Sequence, residues 1–191
     1  MSKGRLEAFS DGVIAIIITI MVLELAAPHV AELPALLPLV PKLLSYALSF
    51  LFLGIYWSNH HHLLQAASRV NGGVLWANLH LLFWLSLVPF ATAWMGENRF
   101  AGWPVALYGV VLLFAAVAYF ILARVLISVH GRDSTIAAAL GADFKGKISI
   151  VICVAAIGIS FILPVASCVL YVLVAVLWLI PDRRIEKVLE R

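Results

Sequence analysis

The chain has 191 residues, of which 64% are hydrophobic and 12% are charged, and it carries a formal net charge of +3. A soluble domain has about 25% charged residues, so this composition excludes a soluble globular protein and indicates an integral membrane protein. An acidic motif interrupts the first residues and no cleavage site with small side chains follows it, which argues against a secretory signal peptide. Cys153 and Cys168 form neither a CxxC pair nor a disulfide framework, and we interpret them as packing residues.

The apolar segments predict six transmembrane helices in a single domain over residues 1–191. The last apolar run, 148–180, is too long for one helix of about 20 residues. Pro164 lies near its middle, where we place a turn. The predicted spans are 6–27, 43–64, 74–95, 105–127, 146–163 and 165–181.

The positive charges predict the orientation of these spans. With both termini in the cytoplasm, only Lys42 and Arg99 of the 13 Lys and Arg residues lie outside. The others lie on the cytoplasmic side, among them Arg183, Arg184 and Lys187 at the C-terminal end. This is the bias that cytoplasmic loops of membrane proteins show.

The first predicted helix carries acidic residues at both ends of an uncharged stretch. Glu7 and Asp11 lie about one helical turn apart at its start, and Glu24 lies near its far end. A carboxylate within a membrane is costly unless it faces protein or water. We therefore expect this helix to be surrounded by other helices or to line a water-filled path.

One face of the same helix is regularly apolar. At about 100° per residue, a single stripe contains Gly12, Ile16, Ile20 and Leu23, with Thr19 beside it. Asp11 and Ile18 point to roughly the opposite side. Such a stripe is commonly a packing seam, so the pattern alone leaves two interpretations open, a seam between helices and the lining of a pore.

The segment RLEAFSD at residues 5–11 is an Arg-x-x-x-Phe-Ser-Asp motif at the head of this helix. The motif resembles the signature of the transmembrane protein 175 family of potassium channels. Three further segments are similar to that family: YWSNHHHLLQ at 56–65, NLHLLFWLSLVPFATAW at 78–94 and IPDRR at 180–184. One copy of the motif and six spans resemble the bacterial members, whereas the human-type protein has two six-helix repeats.

The resemblance implies an all-α membrane protein with six transmembrane helices and a pore-lining first helix. It implies a homotetrameric cation channel of unusual type in the inner membrane of a bacterium. Its partners would be potassium ions and the lipid bilayer, without a cofactor and without nucleic acid. By position after the motif, Ile16, Ile20 and Leu23 form the hydrophobic constriction, and Thr19 is a candidate contributor to selectivity.

The sequence has no TVGYG segment, which forms the carbonyl filter of ordinary potassium channels. Rings of isoleucine would instead form a narrow, dry constriction of the kind that gates by dewetting. Potassium holds its hydration shell less tightly than sodium does. We therefore expect a moderate preference for potassium.

Polar and aromatic residues of predicted helices 1, 2 and 3 should meet at one depth near the cytoplasmic side, because buried polar groups in a membrane need partners. The motif and this candidate network comprise Arg5, Phe9, Ser10, Asp11, Trp57, Asn59, His60, His61, Asn78, His80 and Trp84. We expect Asp11 to pair with a histidine or tryptophan N–H of helix 2 or 3, or with Arg5. We favour a structural role for the motif over direct ion binding.

Other kinds of function fit the sequence less well. Consecutive histidines, as at 60–62, point about 100° apart and cannot all bind one ion. His60 and a histidine of another helix, such as His80, are an alternative pair, but without an HxxxH or HxxEH pattern we predict no metal site. No nucleophile and base have a recognisable spacing, so we expect no enzyme, and Asp133, Ser134 and Thr135 are typical of a helix N-cap. A small secondary transporter of cations or protons is the main alternative, although such folds usually contain repeats with broken helices.

Overall fold

The structure, a computed structural model of one chain, describes residues 2–131 and 144–179. Over these ranges the regular structure is helical. A 3₁₀ helix at Leu33–Leu39 precedes α2, and the helices are α1 (Lys3–Leu23), α2 (Val40–Gln65), α3 (Gly72–Ser86), α4 (Val88–Glu97), α5 (Gly102–His130), α6 (Phe144–Ile159) and α7 (Pro164–Leu179). The predicted N-cap at 133–135 and the basic C-terminal residues lie outside the described residues.

Helical segments of the described chain are long and apolar enough to cross a membrane at four places: Lys3–Leu23, Leu33–Gln65, Gly72–Glu97 and Gly102–His130. The chain is therefore a multi-pass membrane protein. Helices α6 and α7 have 16 residues each, which is shorter than the 20 or so that a membrane helix usually needs.

The helix ends differ from the predicted span ends where local chemistry intervenes. Helix α1 ends at Leu23, four residues before the predicted end of the first span, and Glu24 is its C-cap. The third predicted span is two helices, α3 and α4, separated at Leu87. Pro89 lies in the first turn of α4, and it has no N–H to continue the hydrogen-bond ladder. Pro164 is the first residue of α7, a position that suits proline.

The core lies between helices that are close in the chain. Helix α5 packs against α3, α4 and α6, while α2 packs against α4. At Gly109 of α5 a Cβ atom would overlap the Tyr171 hydroxyl of α7, so only glycine allows this approach. Helix α1 packs against α2, α3 and α4 along one side, and this leaves its other side uncovered in the single chain.

Candidate functional site

Helix α1 has one buried face and one exposed apolar face. The buried face consists of Leu6, Ser10, Ile14, Ile17 and Met21, which recur every three or four residues. The predicted constriction residues lie on the other face: Ile16 is 58% exposed, Ile20 44% and Leu23 77%. The stripe inferred from the sequence is thus the face of α1 that its own chain does not cover.

Thr19 also lies on the exposed face of α1. Its hydroxyl donates a hydrogen bond to the Ile16 carbonyl oxygen at 2.9 Å. A hydroxyl has one donor and two acceptor lone pairs. Because the donor is engaged within the helix, the oxygen lone pairs of Thr19 remain available to a cation.

An open groove of about 590 Å³ runs between α1 and α4. Ile16 and Ile20 of α1 line one side, and Phe90 and Trp94 of α4 line the other. The rings of Phe90 and Trp94 stack with centroids 6.5 Å apart. These aromatic residues were not among the predicted site residues. Their i, i+4 spacing next to Pro89 was the available signal, because it places them on one face of a helix.

A buried chain of hydrogen bonds joins α1 to α2 and α3. The Ser10 hydroxyl donates to the Leu6 carbonyl at 2.9 Å, and Asn78 Nδ2 donates to Ser10 Oγ at 2.9 Å. Asn78 Oδ1 lies 2.7 Å from His60 Nε2. Because Asn78 Oδ1 can only accept, His60 carries its proton on Nε2. Ser10, His60 and Asn78 are fully buried, so this chain fixes the rotation of α1 against its neighbours.

A second, less buried group includes the acidic residues at the start of α1. The indole Nε1–H of Trp57 donates to the Asp11 carboxylate at 3.0 Å. His61 Nδ1 lies 3.3 Å from Glu7 Oε1, and its ring stacks on Trp57. Sequence analysis did not include Glu7 in the network. The signal that could have indicated this role is the spacing of Glu7 from Asp11, which is about one helical turn.

Comparisons with known proteins identify relatives of this chain. A family model described as endosomal/lysosomal potassium channel TMEM175 matches residues 5–89, which include α1 from Arg5 onward and its partners Trp57 and Asn78. A potassium channel of Chryseobacterium sp. (strain P1-3) is 55% identical over 190 residues, which are 100% of this chain and 99% of the relative. The chain belongs to the TMEM175 family.

Other relatives extend the family across bacteria and vertebrates. A potassium channel of Streptomyces collinus is 37% identical over 126 residues, or 61% of each chain. An endosomal/lysosomal proton channel TMEM175 of Danio rerio is 29% identical over 135 residues, which are 68% of this chain but 25% of the relative. A solved structure from Chamaesiphon minutus, a homolog of the lysosomal potassium-selective channel TMEM175, matches with a TM-score of 0.80. It is 28% identical, and the match covers 93% of this chain and 96% of that one.

In this TMEM175-family chain the remaining network candidates do not join the buried chain. Trp84 Nε1 donates to His80 Nε2 within α3 at 3.0 Å, and the Trp84 ring stacks on Phe114 of α5. Asn59 Nδ2 donates to the Ile55 carbonyl of its own helix at 2.8 Å. The network predicted as one unit is therefore several separate groups.

Two other motif residues, Arg5 and Phe9, also lie apart from the hydrogen-bonded groups. Arg5 is exposed, and among the described residues it forms no ion pair with Asp11. Phe9 is half exposed. Within residues 2–131 and 144–179, no three His, Cys, Asp or Glu side chains are placed to hold one metal ion.

Proposed function

We propose that this protein is a potassium channel that prefers potassium moderately over sodium and conducts along the exposed face of α1. The observation that carries the proposal is that face itself, an apolar stripe with Thr19 beside it on a helix whose opposite face is buried. The bacterial relatives named potassium channels support the choice of ion. Membership of a family of channels also argues against an enzymatic function for this chain.

The proposed channel is a homotetramer with α1 innermost. One chain contributes a single α1 face, and a closed path needs several such faces arranged by cyclic symmetry. The groove between α1 and α4 is the place where α1 of a neighbouring subunit would pack. Phe90, 64% exposed in the single chain, would then be covered by protein.

The selectivity mechanism follows from the side chains on the stripe. Rings of Ile16, Ile20 and Leu23 would form a neck without hydrogen-bonding groups, where an ion must lose part of its water. The loss costs less free energy for potassium than for sodium. Thr19 oxygen atoms would replace part of the lost water. An apolar neck of this kind also closes when it dewets.

The hydrogen-bonded groups behind α1 would set which residues face the ions. A rotation of α1 by one residue, about 100°, would replace Ile16 in the neck by a neighbour on another face. The buried chain from His60 through Asn78 to Ser10 opposes such a rotation. We accordingly assign the Phe-Ser-Asp motif a structural role, and this includes Asp11.

The proposed orientation places both termini in the cytoplasm of a bacterium, with α6 and α7 crossing its inner membrane. The distribution of Lys and Arg supports this arrangement. In this orientation the C-terminal end of α1 and Glu24 lie at the outer mouth. The start of α1, with Glu7 and Asp11, lies on the cytoplasmic side.

The decisive experiment is single-channel recording of the purified protein in a planar bilayer. Asymmetric potassium and sodium solutions give the ion preference from the reversal potential, and a separate proton gradient tests proton conduction. Resolved unitary currents with a reversal potential displaced toward that of potassium would support the proposal. Ion flux without unitary currents would favour the transporter alternative. A reversal potential that follows the proton gradient would make protons the main permeant ion.

A further inference from the structure

Three hydrogen bonds hold the connection between α2 and α3 to the end of α5, and two of them end on one imidazole nitrogen. His130 Nε2 accepts the backbone N–H of Ser68 at 3.0 Å and that of Arg69 at 3.3 Å. His130 Nδ1 lies 2.9 Å from the Leu126 carbonyl oxygen. Because a carbonyl oxygen can only accept, the proton of the neutral ring is on Nδ1, and Nε2 is the free acceptor that both N–H groups require.

We propose that His130 is a proton-sensitive clamp, which holds the Ser68 and Arg69 N–H groups of the α2–α3 connection when its imidazole is neutral and releases them when the ring takes up a second proton. An imidazolium ring is a donor at both nitrogens and an acceptor at neither. The added N–H would point at the N–H groups of Ser68 and Arg69. Both hydrogen bonds would be lost together, and the contact would become repulsive.

The charged side chains described at this junction are basic. The Arg69 guanidinium lies at the same junction and donates to the Val129 carbonyl at 2.7 Å. Lys3 Nζ donates to the Gln65 carbonyl at 3.0 Å at the start of the connection, and His62 lies in the last turn of α2. Among the described residues no carboxylate pairs with His130.

The clamp acts on the two helices that hold α1. His60 of α2 and Asn78 of α3 form the buried chain to Ser10, and the clamped connection joins these two helices. His130 is thus a positioning residue for the helix pair behind the candidate pore face. The clamp itself rests on hydrogen bonds of the single chain and does not depend on whether the protein conducts ions.

Hydrogen–deuterium exchange of the full-length protein in detergent tests the clamp. Peptides covering residues 66–71 are followed by mass spectrometry at about pH 8 and about pH 5.5, on either side of the usual titration of histidine. The wild type is compared at each pH with His130→Ala and His130→Gln. The peptide is identical in all three proteins, so the intrinsic pH dependence of exchange cancels in the ratios.

The clamp predicts exchange in the wild type at least about fivefold slower than in His130→Ala at pH 8, from the loss of two hydrogen bonds. The two should exchange equally at pH 5.5. The Gln amide oxygen accepts hydrogen bonds but does not titrate, so His130→Gln should remain slow at both pH values. Peptides from the buried middle of α5 serve as the control for global opening and should stay slow throughout.

A ratio of wild type to His130→Ala that is the same at both pH values would overturn the proposal. So would equal exchange of these two proteins at pH 8. If His130→Gln exchanges as fast as His130→Ala, the test depends only on whether the exchange ratio of wild type to His130→Ala changes with pH.

Discussion

Trp57 of α2 and Asp11 of α1 are joined by a hydrogen bond of 3.0 Å from the indole N–H to the carboxylate. Asp11 belongs to the motif at the head of the helix that we assign to the pore, yet its partner lies on the adjacent helix of the same chain. The contact therefore gives the carboxylate a structural partner within the subunit. It also explains how an acidic residue is accommodated in the first half of a membrane helix.

The first prediction concerns this contact. Asp11→Ala should leave the half-exposed Trp57 N–H without its acceptor, at a cost of about 1 kcal/mol, and reduce the yield of folded protein in size-exclusion chromatography. Asp11→Asn keeps an acceptor oxygen and should retain most of that yield. Well-assembled Asp11→Ala protein that differs from wild type only in ion selectivity would instead indicate that Asp11 faces the ions.

The second prediction concerns the buried chain. Asn78→Leu keeps the number and branching of the side-chain heavy atoms but leaves the His60 Nε2–H unpaired in the interior, so the unfolding free energy of the protein should fall by about 1–3 kcal/mol. Ser86→Ala is the matched control, because the exposed Ser86 hydroxyl bonds only to the Phe83 carbonyl of its own helix. Equal melting temperatures for the two variants would contradict a stabilising role for the chain.

The third prediction concerns the neck. Ile16→Asn should wet the constriction, raise the single-channel conductance and weaken the preference for potassium over sodium. Ile18 packs against the core and points about 160° away from Ile20, so Ile18→Asn should mainly reduce stability. If correctly assembled Ile16→Asn protein conducts like wild type, or if Ile18 controls permeation, the exposed stripe is a packing seam and the pore lies elsewhere.

The fourth prediction distinguishes the effect of the Thr19 hydroxyl from the effect of the size of the side chain. Thr19→Ser retains the hydroxyl and the option of bonding to the Ile16 carbonyl, whereas Thr19→Ala removes the oxygen. We expect the reversal potential in mixed potassium and sodium to show weaker potassium preference for Thr19→Ala and a nearly unchanged preference for Thr19→Ser. Similar shifts in both variants would show that the Thr19 methyl group matters instead.

The fifth prediction tests the packing of α5 against α7. Gly109→Ala places a methyl group against the buried Tyr171 hydroxyl, which donates to the Val105 carbonyl at 3.2 Å. Overpacking of this kind costs about 1–3 kcal/mol. Gly158→Ala meets no neighbouring atom within 4 Å and should be neutral or slightly stabilising, because alanine favours a helix over glycine. A stable Gly109→Ala protein would mean that the two helices can separate at little cost.

The sequence predicted the membrane class, the helical architecture and the face of α1 that its own chain leaves exposed. Each of these depends on composition or on the 3.6-residue period of a helix, which are properties of the chain itself. Ile16, Ile20 and Leu23 fall on one stripe in any helix that contains them. The motif at the start of α1 also indicated the family, because RLEAFSD is specific enough to do so.

The tertiary structure alone decided which side chains pair. His60 and His80 were both predicted members of the polar network. In the structure His60 bonds to Asn78, whereas His80 pairs with Trp84 on its own helix. The choice depends on the rotation and distance between helices, which the period of a single helix does not encode. For the same reason the groove beside Phe90 and the clamp at His130 could not be foreseen, since each joins segments that are far apart in the chain.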